Sequence, residues 1–200
     1  MKKTLLLSML LLIISTNSLA EFQPYIGVSM NDFSLNGSEM TTTDSGSSRT
    51  SSVETSDSGF AIGFTAGAFL NDTKRINLSY FTGEENDSSI FTVTTTSASV
   101  DHSFNNSGVH RGWFLGVGLS SVKLKNKSTR NIATSSSSGA GLLVRGGYEY
   151  KLDNQLFLDV GLNLHLVDIN HKMRMDLGNN IEVSTKLDVS NSYLSLNYLF

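Results

Sequence analysis

The segment from Leu156 to Leu166 places a branched aliphatic residue at every second of its eleven positions. A period of two is the period of a β-strand, whose side chains point alternately to opposite faces. At about 3.3 Å per residue and a tilt of about 40°, eleven residues rise roughly 25 Å, which is the height of the apolar band of an outer-membrane barrel. The segment therefore predicts a strand with one face in lipid and the other face in a polar interior.

Seven further segments repeat this alternation. Their outward sets are Ile26, Val28 and Met30; Phe60, Ile62, Phe64, Ala66, Ala68 and Leu70; Ile76, Leu78 and Tyr80; Ala98, Val100, His102 and Phe104; Trp113, Leu115, Val117 and Leu119; Leu142, Val144, Tyr148 and Tyr150; and Leu194, Leu196, Tyr198 and Phe200. An even number of such strands brings both chain ends to one side of a membrane. Residues 21–200 are thus predicted to form an all-β fold, an eight-stranded antiparallel up-and-down transmembrane β-barrel.

The connections between these segments alternate in length. Short ones fall at 71–73, 105–111 and 153–155, and long ones at 32–58, 83–92, 125–139 and 168–185. Outer-membrane barrels have short periplasmic turns and long extracellular loops, so four long extracellular loops are expected.

Two kinds of loop are predicted. The first loop, 32–58, is dominated by Ser, Thr, Gly and Asp and is expected to lack regular structure, because it cannot bury enough apolar surface. Residues 173–183 and 90–96 alternate and are predicted to extend neighbouring strands as protruding hairpins. The open edge of such a sheet either binds an extended peptide or is shielded by the loops.

The first 20 residues have the features of a secretory signal peptide. Lys2 and Lys3 precede an apolar run from Leu5 to Ile14, and the small residues Ser18 and Ala20 stand at cleavage spacing. An apolar run of about ten residues is too short to span a bilayer, which takes about 20. Residues 1–20 are therefore predicted to be a cleaved signal peptide that directs export.

Composition excludes several functional classes. The chain contains no cysteine, which rules out disulfides, thiolate metal sites and an N-terminal lipidated cysteine. Loss of the first 20 residues would remove two of 15 basic residues and none of the 18 acidic ones, leaving 13 − 18 = −5. This acidic balance argues against a nucleic-acid partner.

No catalytic or metal site is predicted from residue spacing. His102 lies beside Ser103, but adjacent strand residues point to opposite faces, so the two cannot act as base and nucleophile on one surface. The loop acids Glu84, Glu85 and Asp87 are interpreted as a solvated tip and not as metal ligands. We expect no catalytic residue, cofactor or metal ion.

The inward positions predict a polar network in the lumen. Its members are Arg75, Asp101, Arg145, Glu149, Lys151, Asp159 and His165. Both signs of charge are present, and pairing them avoids the cost of an isolated buried charge. His165 and Asp159 are expected to form a hydrogen-bonded pair. Eight strands enclose only enough room for side chains, which favours a packed plug, while a water-filled conduit is the alternative.

The ending SYLSLNYLF, with Leu194, Leu196, Tyr198 and Phe200, looks like the C-terminal signal that the barrel-assembly machinery recognises. Together with the alternating strands, it makes residues 21–200 resemble the small eight-stranded outer-membrane barrels, the OmpA-type transmembrane domain and the OmpX/Ail group. The resemblance implies a location in the bacterial outer membrane, in contact with outer-membrane lipids and lipopolysaccharide. It also implies a non-catalytic role in envelope integrity, or in surface binding of host-surface or matrix proteins through the loops. A small porin-like channel and a lipid A-modifying barrel enzyme are the alternatives.

Overall fold

The computed structural model describes residues 22–44, 47–51, 55–86, 91–104, 112–126, 136–167, 169 and 182–200. Its nine β-strands are β1 (Gln23–Asp44), β2 (Ser47–Ser51), β3 (Thr55–Asn71), β4 (Lys74–Glu85), β5 (Phe91–Ser103), β6 (Gly112–Asn126), β7 (Ser136–Lys151), β8 (Leu156–Val167) and β9 (Glu182–Leu199). Strands β1 and β3 to β9 pair in sequence order, and β9 pairs with β1, which closes the sheet. The predicted eight-stranded antiparallel barrel is confirmed. Within the described residues, no helix has the length and apolar character needed to cross a membrane.

The strand register fixes the shape of the barrel. Starting at Arg75 on β4, the paired residues are Asp101, Gly116, Arg145, Asn163, Asn191, Phe33, Gly59 and finally Glu85, again on β4. One circuit therefore shifts the register by 85 − 75 = 10 residues. A shift of ten residues over eight strands corresponds to a tilt of about 40° and an interior filled by side chains. The short β3–β4 and β7–β8 connections lie at one end, the periplasmic end by the usual architecture of these barrels.

The predicted loop 32–58 is largely strand in the structure, so the expectation of irregular structure is wrong. Strand β1 continues to Asp44, β2 pairs with its last five residues, and β3 already begins at Thr55. Pairing between long neighbouring strands satisfies the backbone amides even where side chains are polar, and threonine favours strands. The predicted extension of the third and fourth strands is also present, with Glu84 paired to Thr92. The hairpin predicted at 173–183 lies mostly outside the described residues.

The outer face carries a belt of exposed apolar side chains. The belt includes Ile26, Val28, Met30, Phe64, Leu78, Leu115, Val117, Leu119, Leu142, Val160, Leu162, Leu164, Leu194 and Leu196. Aromatic residues lie exposed along its periplasmic edge, namely Trp113, Tyr148, Tyr150, Tyr198 and Phe200. Ala68 also follows the outward phase but is buried, and in the register it lies between Pro24 and Ile76 of the adjacent strands. An apolar belt with an aromatic edge is typical of a surface that faces lipid.

Above the belt the alternation changes phase. On β1, Met30 is 61 % exposed, whereas Phe33 is 1 % exposed and Asp32 faces outward. The inward apolar residues at this end form one buried cluster of Phe33, Leu35, Ala61, Phe81, Val93, Val122, Leu124, Val167, Ile169 and Val189. We call this cluster the upper core. Water replaces lipid outside the membrane, so the outer face becomes polar and the interior can be apolar, as in a soluble barrel.

Candidate functional site: a layered lumen and a protruding sheet

An aromatic layer closes the periplasmic end of the lumen. Tyr25, Phe69, Phe157 and Leu199 form a buried cluster. The Tyr25 ring centroid lies 5.5 Å from that of Phe69 and 5.2 Å from that of Phe157, which is the range of favourable aromatic pairs. The Tyr25 hydroxyl donates a hydrogen bond of 2.8 Å to Asn77 Oδ1. This layer separates the periplasm from the charged residues above it.

Arg75 is the centre of the ionic layer. Its Nε donates to Asp101 Oδ2 at 2.9 Å, and its Nη1 donates to Glu149 Oε2 at 2.8 Å and lies 2.9 Å from Asp159 Oδ2. All four side chains are at least 96 % buried. The guanidinium carbon also lies 4.4 Å from the Phe114 ring centroid, within cation–π range. One guanidinium on β4 thereby ties together carboxylates from β5, β7 and β8.

Arg145 completes the ionic layer from the opposite side. Its Nη1 lies 3.6 Å from Asp101 Oδ2, and its Nη2 donates to the Tyr193 hydroxyl. In the sheet, Gly116 lies between Asp101 and Arg145 and pairs with both. A Cβ on Gly116 would overlap both of these side chains. Two guanidiniums are thus buried with three carboxylates, and each carboxylate lies beside at least one guanidinium nitrogen, which lowers the cost of keeping these charges away from water.

A layer of amide and hydroxyl groups lies above the charges. His165 Nε2 donates to Asn191 Oδ1 at 3.0 Å, and Asn191 Nδ2 donates to Asn31 Oδ1 at 3.0 Å. Asn31 Nδ2 then donates to Ser29 Oγ at 3.0 Å. This chain of bonds links the adjacent strands β8, β9 and β1 along the inner wall below the upper core.

The structure brings together five of the seven residues predicted for the lumen network: Arg75, Asp101, Arg145, Glu149 and Asp159. His165 is fully buried but belongs to the amide layer. Lys151 is half-buried at the periplasmic end of β7, where it pairs with Phe157 of the aromatic layer.

The predicted bond between His165 and Asp159 is wrong. The two residues are 165 − 159 = 6 positions apart on one strand, which separates them by about 20 Å. Asp159 instead pairs with Arg75, and His165 bonds to Asn191.

Sequence reasoning missed the upper core, although the sequence contains a signal for it. On β1 the apolar residues occupy even positions up to Met30 and odd positions from Phe33. On β6 they shift in the same way, from Leu119 to Val122, across the adjacent polar pair Ser120 and Ser121. A one-residue change of phase within a strand marks the height at which the surrounding medium changes.

The residues of the predicted assembly signal line the outer face of β9. Leu194, Leu196, Tyr198 and Phe200 are all exposed, and the rings of Tyr198 and Phe200 meet edge to face at 5.3 Å. Their recognition by an assembly machinery stays a prediction.

The two histidines within the described residues lie on different faces of the barrel wall. His102 is exposed on the outer face, where its ring meets Phe104 at 5.3 Å, and His165 lies in the lumen. His110 and His171 lie outside the described residues. Within the part of the chain that the structure describes, no three His, Asp or Glu side chains are grouped as metal ligands.

A sheet of β1, β2, β3 and β9 continues beyond the apolar belt, and we call it the protruding sheet. On β1 the belt ends at Met30, yet pairing with β9 continues to Thr43, which lies opposite Glu182. The stretch from Asp32 to Asp44 rises about 30 Å at the strand tilt of the barrel. β2 stands at the end of the sheet order, so its outer edge has no partner strand among the described residues.

A closed barrel with a lipid-facing belt and a filled, partly charged interior defines an integral membrane protein of the bacterial outer-membrane type. The family model described as "Outer membrane protein beta-barrel domain" matches residues 4–200, and the chain belongs to this family. The predicted location in the bacterial outer membrane is thereby confirmed.

Solved structures show the same fold. The outer membrane protein OprG from Pseudomonas aeruginosa superposes with a TM-score of 0.64 at 12% sequence identity, over 90% of this chain and 97% of that one. Neisserial surface protein A superposes with a TM-score of 0.56 at 17% sequence identity, over 86% of this chain and 97% of that one. The outer membrane protein AlkL superposes with a TM-score of 0.52 at 15% sequence identity, over 93% of each chain. No curated protein matches the sequence.

Proposed function

We propose that the protein is a non-conducting, non-catalytic barrel that binds a partner at the cell surface through the protruding sheet. The observation that carries the proposal is the β1–β9 pairing, which continues to Thr43 and Glu182, far above the end of the apolar belt at Met30. Such an extension is not needed to anchor the barrel in lipid. The partner class we propose is an extended segment of a host-surface or matrix protein.

The mode of binding that fits this sheet is addition of a strand at the outer edge of β2. A strand at the end of a sheet has backbone donors and acceptors that can pair with an incoming extended peptide. The sequence of β2 is SSRTS, with short polar side chains and a single charge at Arg49. Backbone hydrogen bonds would supply most of the affinity.

The filling of the lumen argues against the porin-like alternative. An aromatic layer, an ionic layer, an amide layer and the upper core follow one another along the axis. A continuous water path through an eight-stranded barrel would require several of these layers to move apart.

Among the residues that the structure describes, the positions of the two histidines argue against the lipid A-modifying alternative. Acyl transfer or hydrolysis requires a nucleophile within hydrogen-bond reach of its base. His102, on the lipid face, contacts Phe104, and His165 bonds to an asparagine amide. Mass spectrometry of lipid A from cells with and without the protein should give identical spectra.

Deletion of the outermost part of the protruding sheet tests the binding function. In the test variant, residues 40–51 are deleted, which takes away β2 and the part of β1 that pairs with it. Bacteria that display this variant should attach to immobilised matrix proteins no better than bacteria without the protein. The matched control is Arg49→Ser, which keeps the backbone edge and removes its charge and should retain attachment. A heat-dependent mobility shift on detergent gels verifies that each barrel is folded, and full attachment by a folded deletion variant would overturn the proposal.

A further inference from the structure

We propose that the ionic layer of the lumen is a proton-binding site, in which the carboxyl groups of Glu149 and Asp159 hold one proton between them at neutral pH. The layer contains the carboxyl groups of Asp101, Glu149 and Asp159 and the guanidiniums of Arg75 and Arg145. With all three carboxyl groups ionised, its formal charge is 2 − 3 = −1. One bound proton makes the layer neutral. The site is independent of the protruding sheet, because it lies in the lumen.

The surroundings of the ionic layer make an excess charge costly. The side chains of Asp101, Glu149 and Asp159 are 1 %, 1 % and 4 % exposed. The aromatic layer lies below them, and the amide layer and the upper core lie above them. On β7, the two neighbours of Glu149 are the exposed Tyr148 and Tyr150 of the aromatic edge of the belt. In such surroundings an uncompensated carboxylate takes up a proton instead of remaining ionised.

Asp101 is the best compensated of the three carboxyl groups. Its Oδ2 accepts from Arg75 Nε at 2.9 Å and lies 3.6 Å from Arg145 Nη1, and its Oδ1 accepts from the Ser99 hydroxyl at 2.9 Å. Two guanidiniums and a hydroxyl donor stabilise the ionised form of this carboxyl group. Asp101 is therefore not the group that binds the proton.

Glu149 and Asp159 share a single guanidinium nitrogen. Arg75 Nη1 donates to Glu149 Oε2 at 2.8 Å and lies 2.9 Å from Asp159 Oδ2. The two acidic residues lie directly opposite each other on β7 and β8, where like charges repel. Two carboxyl groups that share one site in this way do not both ionise readily, and the proton belongs to the pair and not to one residue.

The neighbouring hydroxyl groups have partners of their own. The Tyr25 hydroxyl donates to Asn77 Oδ1, and the Tyr193 hydroxyl accepts from Arg145 Nη2. Lys151 is the next inward residue on β7 and is half-buried at the periplasmic end, and its ammonium group is the alternative source of positive charge. Among the described residues, the ionisable side chains around the pair are Arg75, Asp101, Arg145, Tyr25, Tyr193 and Lys151.

Infrared spectroscopy tests for the proton directly, because a protonated carboxyl group has a carbonyl stretch above the amide band and an ionised one does not. The purified protein is folded in a detergent without ester groups, and its spectrum is recorded at neutral pH. The wild type should show a band with the intensity of one carboxylic acid, and the band should shift when the protein is folded in D₂O. A wild-type spectrum without this band would overturn the proposal, whatever the variants do.

Neutral variants test the assignment to the pair. Glu149→Gln and Asp159→Asn each leave two carboxylates beside two guanidiniums, so both should lose the band. Asp188→Asn, exposed on β9, and Lys151→Met should keep it. Persistence of the band in either folded variant of the pair would overturn the assignment, and a band that appears only in Lys151→Met would show that Lys151 supplies the missing charge.

The pH dependence of unfolding provides a second test. In the unfolded chain a glutamic acid releases its proton near about pH 4.3. Between about pH 5 and pH 7 the folded wild type should therefore hold one proton more than the unfolded chain, and its unfolding equilibrium constant should rise about tenfold for each pH unit relative to that of Glu149→Gln. The comparison removes the contributions of other titrating groups such as His165. An identical pH dependence of the two proteins would contradict a proton bound by the pair.

Discussion

Asp32 and Phe33 are neighbours on β1 with opposite surroundings: Asp32 is exposed on the outer face, and Phe33 is buried in the upper core. One step earlier the polarity is reversed, because Met30 faces lipid and Asn31 bonds within the lumen. Asp32 and Phe33 thus mark the height at which the barrel leaves the membrane. Below this height the barrel has a polar interior and is surrounded by apolar lipid. Above it the interior is apolar and the surrounding solvent is water.

The upper core should contribute strongly to stability. Phe33→Ala removes a buried ring from a packed cluster and should lower the free energy of unfolding by about 3 to 5 kcal/mol. Urea unfolding of the barrel in lipid vesicles measures the loss. Asp32→Ala, on the outer face beside it, should change stability by less than about 0.5 kcal/mol, and equal effects at the two positions would mean that no apolar core lies above the membrane.

The lipid face of β8 should not tolerate charge. Leu162→Arg places a cation in the apolar belt and should cost about 2 to 4 kcal/mol in the same unfolding assay. The adjacent Asn163→Ala changes a lumen residue and should be milder. Similar costs at Leu162 and Asn163 would show that the faces of β8 are assigned incorrectly.

Arg75 should be the most sensitive position in the lumen. Arg75→Met leaves the carboxylates of Asp101, Glu149 and Asp159 without their shared partner and should destabilise the barrel by about 3 to 5 kcal/mol. A triple variant with Glu149→Gln and Asp159→Asn in addition should recover much of this loss, since it removes the two carboxylates that are paired only with Arg75 and leaves Asp101 beside Arg145. If the triple variant is no more stable than Arg75→Met, the ion pairs are not the reason for the effect.

The filled lumen predicts electrical silence. Purified protein in planar bilayers should show no discrete current steps over a range of voltages, because the aromatic layer around Tyr25 and the upper core around Phe33 block both ends. Reproducible steps of one size from the folded wild type would instead favour the channel function.

The sequence was sufficient for the strand count and for the two faces of each strand within the membrane. Strict alternation, as from Leu156 to Leu166, determines which side chains point outward, because only the apolar face of the strand can contact lipid. It was also sufficient to place Arg75 and Asp101 in the lumen, because both fall on inward positions.

The contacts across the lumen could not be predicted in the same way. Arg75 on β4 meets Glu149 on β7 and Asp159 on β8, and the closeness of these non-adjacent strands depends on the register shift of ten residues around the barrel. The extension of β1 to Asp44 has no hydrophobic signal in the sequence, because this part of the strand is rich in serine and threonine and its structure depends on backbone pairing with β9.

The most direct test of the account uses the absence of cysteine from the chain, which allows single-cysteine variants to be labelled without background. Intact bacteria carrying Leu164→Cys, Ser34→Cys or Val122→Cys are treated with a membrane-impermeant maleimide, and the extent of labelling is measured. Labelling should be strong at Ser34, on the outer face above the membrane, and weak at Leu164, in lipid, and at Val122, in the upper core. Strong labelling at Leu164 would contradict the lipid-facing belt, and strong labelling at Val122 would contradict the apolar core above it.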